Sequence, residues 1–449
     1  MSQGTDTLLM RFDRLSVWPY RYYVLLAIGA GFFFSFFDEL IIGLALPEIK
    51  KQFLLSSQEA ASTISIGLTG YVIGAFAVAR LSDYIGRRIA MFISIAFFTV
   101  GSLGCGLSDN FTTLLSARFC SGLGTGAEVA VVTTLICELS PTGCRGKYMS
   151  VATAFGMLGF AIVPFVAMAI IPSVSWGWRA MFFIGSAGSI VIAIVRLWVP
   201  ESPRWLLIKG RDAEANTILQ QAFDLIKKRG ISLPSALPAI PMMASLPTSS
   251  GITLLLQRAY WPYLLLFTVI WMAYYLGNFA WLTVGTTLFV DKGFGLTQSL
   301  SYIAISSLGF LVGTLVPIAL GDKFERKWVA ASILLIWMIA LLLIGWWPTK
   351  MMIIVAGFIA SASIAAVIPV LYTYTAEHFP TTARTTGIAI TDGLGHIGGA
   401  MSGPIILGVF TYFNSASLGF AAAFSVMAFS SVIAIAGVLA GKRMNKRSI

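Results

Sequence analysis

The feature that most constrains this chain is a series of long apolar runs, each close to the roughly 20 residues with which a helix crosses about 30 Å of hydrocarbon. They cover residues 22–47, 62–81, 89–107, 111–137, 149–171 and 178–199 and, after a polar interval, 261–290, 296–320, 328–347, 351–376, 386–412 and 417–440. The runs are too long and too uniformly apolar for the period of two of a membrane β-barrel, and inside a bilayer a helix closes its own backbone hydrogen bonds. The expected fold class is an all-α membrane protein with 12 transmembrane helices. Composition agrees, with 57% hydrophobic and 11% charged residues, where a soluble domain carries about 25% charged ones. Cys105, Cys120, Cys137 and Cys144 lack metal-ligand spacing and read as packing residues. Neither a metal nor a cofactor is expected, and no nucleophile, base and orienting group assemble into an enzyme.

The formal charge of +11 is topological, not the footprint of a nucleic-acid partner. Lys and Arg gather in alternate loops: at the N-terminus, at Arg87 and Arg88, at Arg145 and Lys147, from Arg204 to Arg258, at Arg326 and Lys327, and from Lys442 to Arg447. By the positive-inside rule these segments are cytoplasmic. The division is then a cytoplasmic N-terminus (1–21), a first six-helix bundle (22–199), a cytoplasmic linker (200–260), a second bundle (261–440) and a cytoplasmic C-terminus (441–449). Within the linker, Ile218, Leu219, Phe223 and Ile226 recur at helical spacing, which predicts an amphipathic helix on the membrane face or beneath the bundle. The first span follows Arg11, Arg14 and Arg21 without a small-residue cleavage site and is read as retained. Short loops suggest a bacterial cytoplasmic membrane.

The charged loops repeat. Asp322 follows Asp83 by 239 positions, and Glu377 and Arg384 follow Glu138 and Arg145 by the same 239. Two charged patterns at one offset imply duplication of a six-helix unit, a common construction in transporters.

These loops also carry a family likeness. Asp83 to Arg88, D-Y-I-G-R-R, resembles the signature loop between helices 2 and 3 of the major facilitator superfamily. Val199 to Leu206, V-P-E-S-P-R-W-L, is similar to the element after helix 6 in sugar porters and their relatives, and the E-x-x-P-x-x-x-R pattern at Glu138 and Glu377 matches the same group. The paired glutamine of helix 7 and the P-E-T-K-G ending of sugar porters are missing, and Ala79 and Glu325 stand where the signature loops carry Gly. The segment Arg11 to Leu15, the intramembrane Asp38 and Gly126-Ala127-Glu128 look more like proton symporters of aromatic or nicotinic acids and synaptic-vesicle-like transporters. The resemblance implies a proton-coupled symporter, working as a monomer by alternating access, with membrane lipid, protons and a small-molecule substrate as partners. The substrate it favours is an aromatic or other carboxylate. A sugar or polyol symporter, a drug or metabolite exporter and a transport-dead receptor stay open. It also implies that Asp83, Arg87, Arg88, Glu138, Arg145 and Glu201 form a cytoplasmic gate network with Asp322, Arg326, Glu377 and Arg384.

Ionised side chains in hydrocarbon are costly, so those that persist mark cavities or pairs. Asp38, Arg118 and Glu128 are the proton-coupling candidates, with Arg118 able to neutralise a carboxylate of the substrate or of the protein, Glu128 included. Glu39 adjoins Asp38, but successive helix positions diverge by about 100°, which favours Asp38 alone for the cavity. Asp392 and His396, four apart, share a face on which a carboxylate can hold an imidazole. Tyr274, Asn278 and Trp281 share a face of the seventh span, and with Tyr275 they offer rings and an amide to a flat substrate.

Overall fold

The computed structural model describes residues 3–234, 251–320, 324–380 and 383–443. The apolar runs become α1 Tyr22–Gln52, α2 Ser57–Ile85, α3 Arg87–Leu107, α4 Phe111–Leu139, α5 Thr142–Ile170, α6 Gly177–Trp198, α7 Trp261–Lys292, α8 Leu296–Pro317, α9 Arg326–Trp346, α10 Lys350–Glu377, α11 Thr386–Tyr412 and α12 Ala416–Ala440. Even the 21 residues of α3 and of α9 reach about 31 Å at 1.5 Å per residue. No strand occurs among the described residues. Several helices overrun their apolar runs, because polar caps are invisible to hydropathy. Thus α2 begins at Ser57, where the Ser56 hydroxyl accepts from the Glu59 amide (3.2 Å) and the Glu59 carboxylate accepts from the Ser56 amide (2.8 Å).

One end of the bundle carries both terminal segments and the interval between the halves; this is the linker end, and the opposite one is the far end. Here the duplication seen in the charge pattern has a structural counterpart. Arg87 pairs with Glu138 and Arg326 with Glu377, each across 51 residues. In the first half Arg87 also reaches Asp83 (2.7 Å), and Glu201 accepts from the backbone amides of Arg87 (3.0 Å) and Arg88 (3.1 Å). These are the first, otherwise orphaned N–H groups of α3, so the carboxylate caps the positive end of that helix. Gly86 makes the turn from α2 possible. Its φ of +101° suits only glycine, and a β-carbon there would overlap the Glu201 carboxylate.

The linker folds as a short helix, Pro203–Ile208, and a longer one, Asp212–Lys228. The second packs beneath the first half against the N-terminal helix Gln3–Asp13, burying Leu219, Phe223 and Ile226 with Phe12 and Trp18. Arg229 donates to the carbonyls of Trp18 (2.8 Å) and Tyr20 (2.6 Å), and Arg204 pairs with Asp13. In the second half His378 donates from Nδ1 to the Tyr374 carbonyl (2.8 Å) and accepts at Nε2 from the Lys442 amide (3.1 Å), which holds the chain after α12 under α10. Burial, more than any neighbouring charge, keeps the pKa of His378 below the ordinary imidazole value, in keeping with that neutral tautomer.

Candidate functional site

Two ionised pairs lie inside the first half, and neither is the pairing of Arg118 with Glu128. Asp38 of α1 accepts at Oδ2 from Arg118 Nη1 (3.1 Å) and Ser121 Oγ (2.7 Å), both on α4. Asp38 is 2% and Arg118 4% exposed, yet Asp38 Oδ1 and Arg118 Nε have no hydrogen-bond partner. The pair borders a cavity of ≈ 20 Å³ at the centre of the molecule, lined also by Glu39, Tyr71, Phe279 and Thr283. That is room for about one water, so the centre is nearly closed in this state.

Glu39 therefore shares the cavity with Asp38, contrary to the argument from helix angles. The cavity lies in the crook of α1, α2, α4 and α7, and wraps α1 far enough for neighbouring positions to reach it. Glu39 makes no hydrogen bond or ion pair with a described residue.

Glu128 is elsewhere. It pairs with Arg196 of α6 at 2.5 Å and accepts from Ser94 Oγ of α3 at 2.6 Å, while Arg196 donates on to the α1 carbonyls of Ala27 (3.1 Å) and Ile28 (3.3 Å). Gly31 leaves the space for this knot, since a β-carbon there would overlap both charged groups. Four helices are tied by one buried pair, and Glu128 is not among the residues that line the cavity. Arg196 escaped notice in the sequence because a lone Arg near the end of an apolar span looks like a side chain reaching for the surface.

In the second half the structure divides the expected aromatic residues. Tyr274 and Trp281 point into the core of their own half: the Tyr274 ring packs on Trp337, and Trp281 Nε1 donates to Ser361 Oγ at 3.3 Å. Asn278 is buried with them, its Oδ1 unpartnered. This face does not line the cavity; Phe279 does. Tyr275, one position on from Tyr274, is the ring of that run that turns to the centre. Its hydroxyl donates to Asp392 Oδ1 at 2.6 Å, and Tyr372 of α10 donates to the same oxygen at 2.7 Å. His396 donates from Nδ1 to the backbone carbonyl of Asp392 (2.9 Å), not to its carboxylate. Its ring lies between Tyr71 of the first half (centroids 4.4 Å, 18°) and Tyr275 (4.1 Å). A π-helical turn at Ala280–Val284 resets α7 beyond this point and brings Thr283 to the cavity wall. Tyr71 and Tyr372 carried no charge or motif that would have singled them out.

Among the described residues, the hydrogen bonds joining the halves are Lys50 to Asp291 (2.6 Å) and Ser65 Oγ to the Ala400 carbonyl (2.6 Å) toward the far end, and Ser307 Oγ to the Ala161 carbonyl (3.0 Å) near the centre. At the linker end the charged groups pair within their own halves, as Arg87 with Glu138 and Arg326 with Glu377 do. Arg145 and Arg384 form no ion pair with a described residue, and Asp322 lies outside the described residues. Among the described residues, the linker-end charges thus show no ion pair from one half to the other. The Lys50–Asp291 bridge is largely buried and worth about 1 kcal/mol, about a fivefold shift in population. Asp291→Asn is expected to raise, by about that factor, the rate at which a membrane-impermeant thiol reagent applied at the far end labels Ile64→Cys in the cavity wall. An unchanged rate would show that the bridge does not hold the far end shut.

Comparison with known proteins now bears on what this centre serves. The family model described as "Sugar (and other) transporter" matches residues 23–442. The chain belongs to this family. The niacin transporter NiaP of Acinetobacter baylyi is 28% identical over 440 residues, covering 96% of this chain and 97% of the relative. The 4-hydroxybenzoate transporter PcaK of Pseudomonas aeruginosa is 25% identical over 409 residues, 87% of each. The crystal structure of a D-xylose-proton symporter superposes with a TM-score of 0.72, covering 94% of this chain and 98% of that one; at 20% identity it speaks for the fold. The protein is a multi-pass transporter of the major facilitator type, with the two six-helix halves of that fold.

Proposed function

We propose that this transporter is a proton symporter that brings a small aromatic carboxylate into a bacterial cell, acting as a monomer with its linker end in the cytoplasm and with the proton gradient as its only driving force. The observation that supports this most is the buried Asp38–Arg118 pair on the wall of the central cavity. With Asp38 ionised, Arg118 is occupied. A proton on Asp38 releases the guanidinium, whose planar fork suits a carboxylate. The charge of the site is then the same before and after loading, because the cargo's carboxylate replaces the one that took the proton. Binding of cargo thereby requires the proton, and departure of both restores the pair. In the state seen here the cross-half bonds at the far end suit an inward-facing transporter, and the excess of Lys and Arg at the linker end supports the orientation. The relatives named for niacin and 4-hydroxybenzoate support a ring-bearing acid.

The test is uptake of labelled nicotinate and 4-hydroxybenzoate into proteoliposomes. Accumulation above equilibrium is expected under an inward proton gradient, and a protonophore should collapse it. Uptake that never exceeds equilibrium with either compound would refute proton-driven import of this class.

A further inference from the structure

We propose that Glu39 is the relay through which Asp38 exchanges its proton with the surrounding water, the transfer running over the one water that fits the central cavity. This rests on the reading of Asp38 and Arg118 as the coupling pair, and it adds the group that brings the proton to them.

Asp38 is well placed to hold a proton but poorly placed to receive one. Its Oδ2 is engaged by Arg118 (3.1 Å) and Ser121 (2.7 Å), while Oδ1 is left without a partner. A proton can therefore bind at Oδ1 before any existing bond is broken. Yet Asp38 is only 2% exposed, so bulk water does not deliver that proton directly. An acid buried to this degree needs a carrier that meets both it and the solvent.

Glu39 has both properties. It borders the same cavity of ≈ 20 Å³ as Asp38, and it is partly exposed where Asp38 is buried. It makes neither a hydrogen bond nor an ion pair with a described residue, so nothing of that kind fixes its carboxylate in one orientation. Room for about one water is what a handover between two carboxylates on one wall requires. The other titratable groups around the centre do not serve. Arg118 is bound to Asp38 and does not give up its proton. Tyr71, also on the wall, carries a phenol, which releases its proton only in alkali. The Cys105 thiol on α3 is fully buried. Asp392 and His396 of α11 do not border the cavity; the first accepts from Tyr275 and Tyr372, and the second donates to a backbone carbonyl.

The transfer is simple to balance. Glu39 takes a proton from water outside the cavity onto a carboxylate oxygen and passes it to the cavity water, which gives one of its own to Asp38 Oδ1. One proton moves, no electrons are exchanged, and Glu39 and the water end as they began. Loading of the cargo therefore stays as charge-balanced as with Asp38 alone. The same steps in reverse discharge Asp38 once the cargo has left.

Two modes of transport separate this role from a structural one. Exchange of external for internal cargo leaves Asp38 protonated throughout, whereas net uptake makes it gain and lose a proton in every cycle. Glu39→Gln keeps the size of the side chain but cannot carry the proton. In proteoliposomes given labelled nicotinate or 4-hydroxybenzoate, the ratio of net uptake rate to exchange rate should fall at least about tenfold in Glu39→Gln. That is the part of the roughly 10²–10⁴-fold contribution of a positioned acid–base group that shows through the other steps of the cycle. Final accumulation under the gradient should match the wild-type protein, because a slower transfer leaves the stoichiometry unchanged. Glu39→Asp retains a carboxylate and should recover most of the ratio. An unchanged ratio in Glu39→Gln, or one that Glu39→Asp fails to restore, would overturn the relay. Loss of accumulation in Glu39→Gln would overturn it too, since Glu39 would then be the coupling group itself. Each of these results leaves the symporter standing, whereas absence of gradient-driven uptake in the wild-type protein would overturn the symporter and the relay together.

Discussion

Asp38→Asn is expected to reduce uptake under a proton gradient to equilibration. One unit of pH can sustain about tenfold accumulation for one proton per substrate, because 1.36 kcal/mol corresponds to one unit; the variant should show none of it. Asparagine is neutral whatever the gradient, so Arg118 is released permanently and loading no longer waits for a proton. Exchange of external for internal substrate should persist, since it needs only binding and reorientation. The substitution also strips a buried guanidinium of its counter-charge, and removing one partner of such a pair costs roughly 3–5 kcal/mol. A carboxylate cargo can supply the negative charge that the asparagine lacks. The thermal stabilisation by saturating substrate should therefore be larger in Asp38→Asn than in the wild-type protein. A variant that still concentrates substrate, or one that substrate does not stabilise, would remove Asp38 and Arg118 from the coupling step.

How far the sequence reveals this site follows from what kind of signal each part leaves. The spans and the two halves are legible because apolar length and loop charge are local properties, and duplication preserves their spacing. Asp38, Arg118, Tyr275, Asp392 and His396 were also legible, since polar groups stand out in an apolar span, and the structure gathers them at the centre. Periodicity misled at α7. It shows that Tyr274, Asn278 and Trp281 share a face, but not which way the face looks, and in a helix aromatic on several sides the answer comes from α9 and α10 packing against it. Glu39 was discounted by an angle that a wrapping cavity makes irrelevant. The partners of Arg118 and Glu128 depend on which helices lie beside α4, which no single stretch of sequence encodes. Among the described residues the linker-end charges pair within each half, a choice of partner that the spacing of the motifs leaves open.

Glu128→Gln is expected to act on folding before it acts on transport. Arg196 is fully buried, and its Nη1 already lacks a partner. Neutralising Glu128 leaves that charge uncompensated, again at a cost of roughly 3–5 kcal/mol, enough to deplete the folded protein in the membrane. The double variant Glu128→Leu, Arg196→Met removes both charges and keeps most of the volume. Such replacements are often neutral, and Ser94 Oγ retains its bond to the Met91 carbonyl (2.8 Å). The double variant should recover the lost melting temperature and, with Asp38, Arg118 and Glu39 untouched, still accumulate substrate under a proton gradient. That pattern assigns the Glu128–Arg196 pair to holding α1, α3, α4 and α6 together. If instead Glu128→Gln melts like the wild-type protein but equilibrates substrate without concentrating it, the proton path runs through Glu128, and the division of labour between the two buried pairs must be reversed.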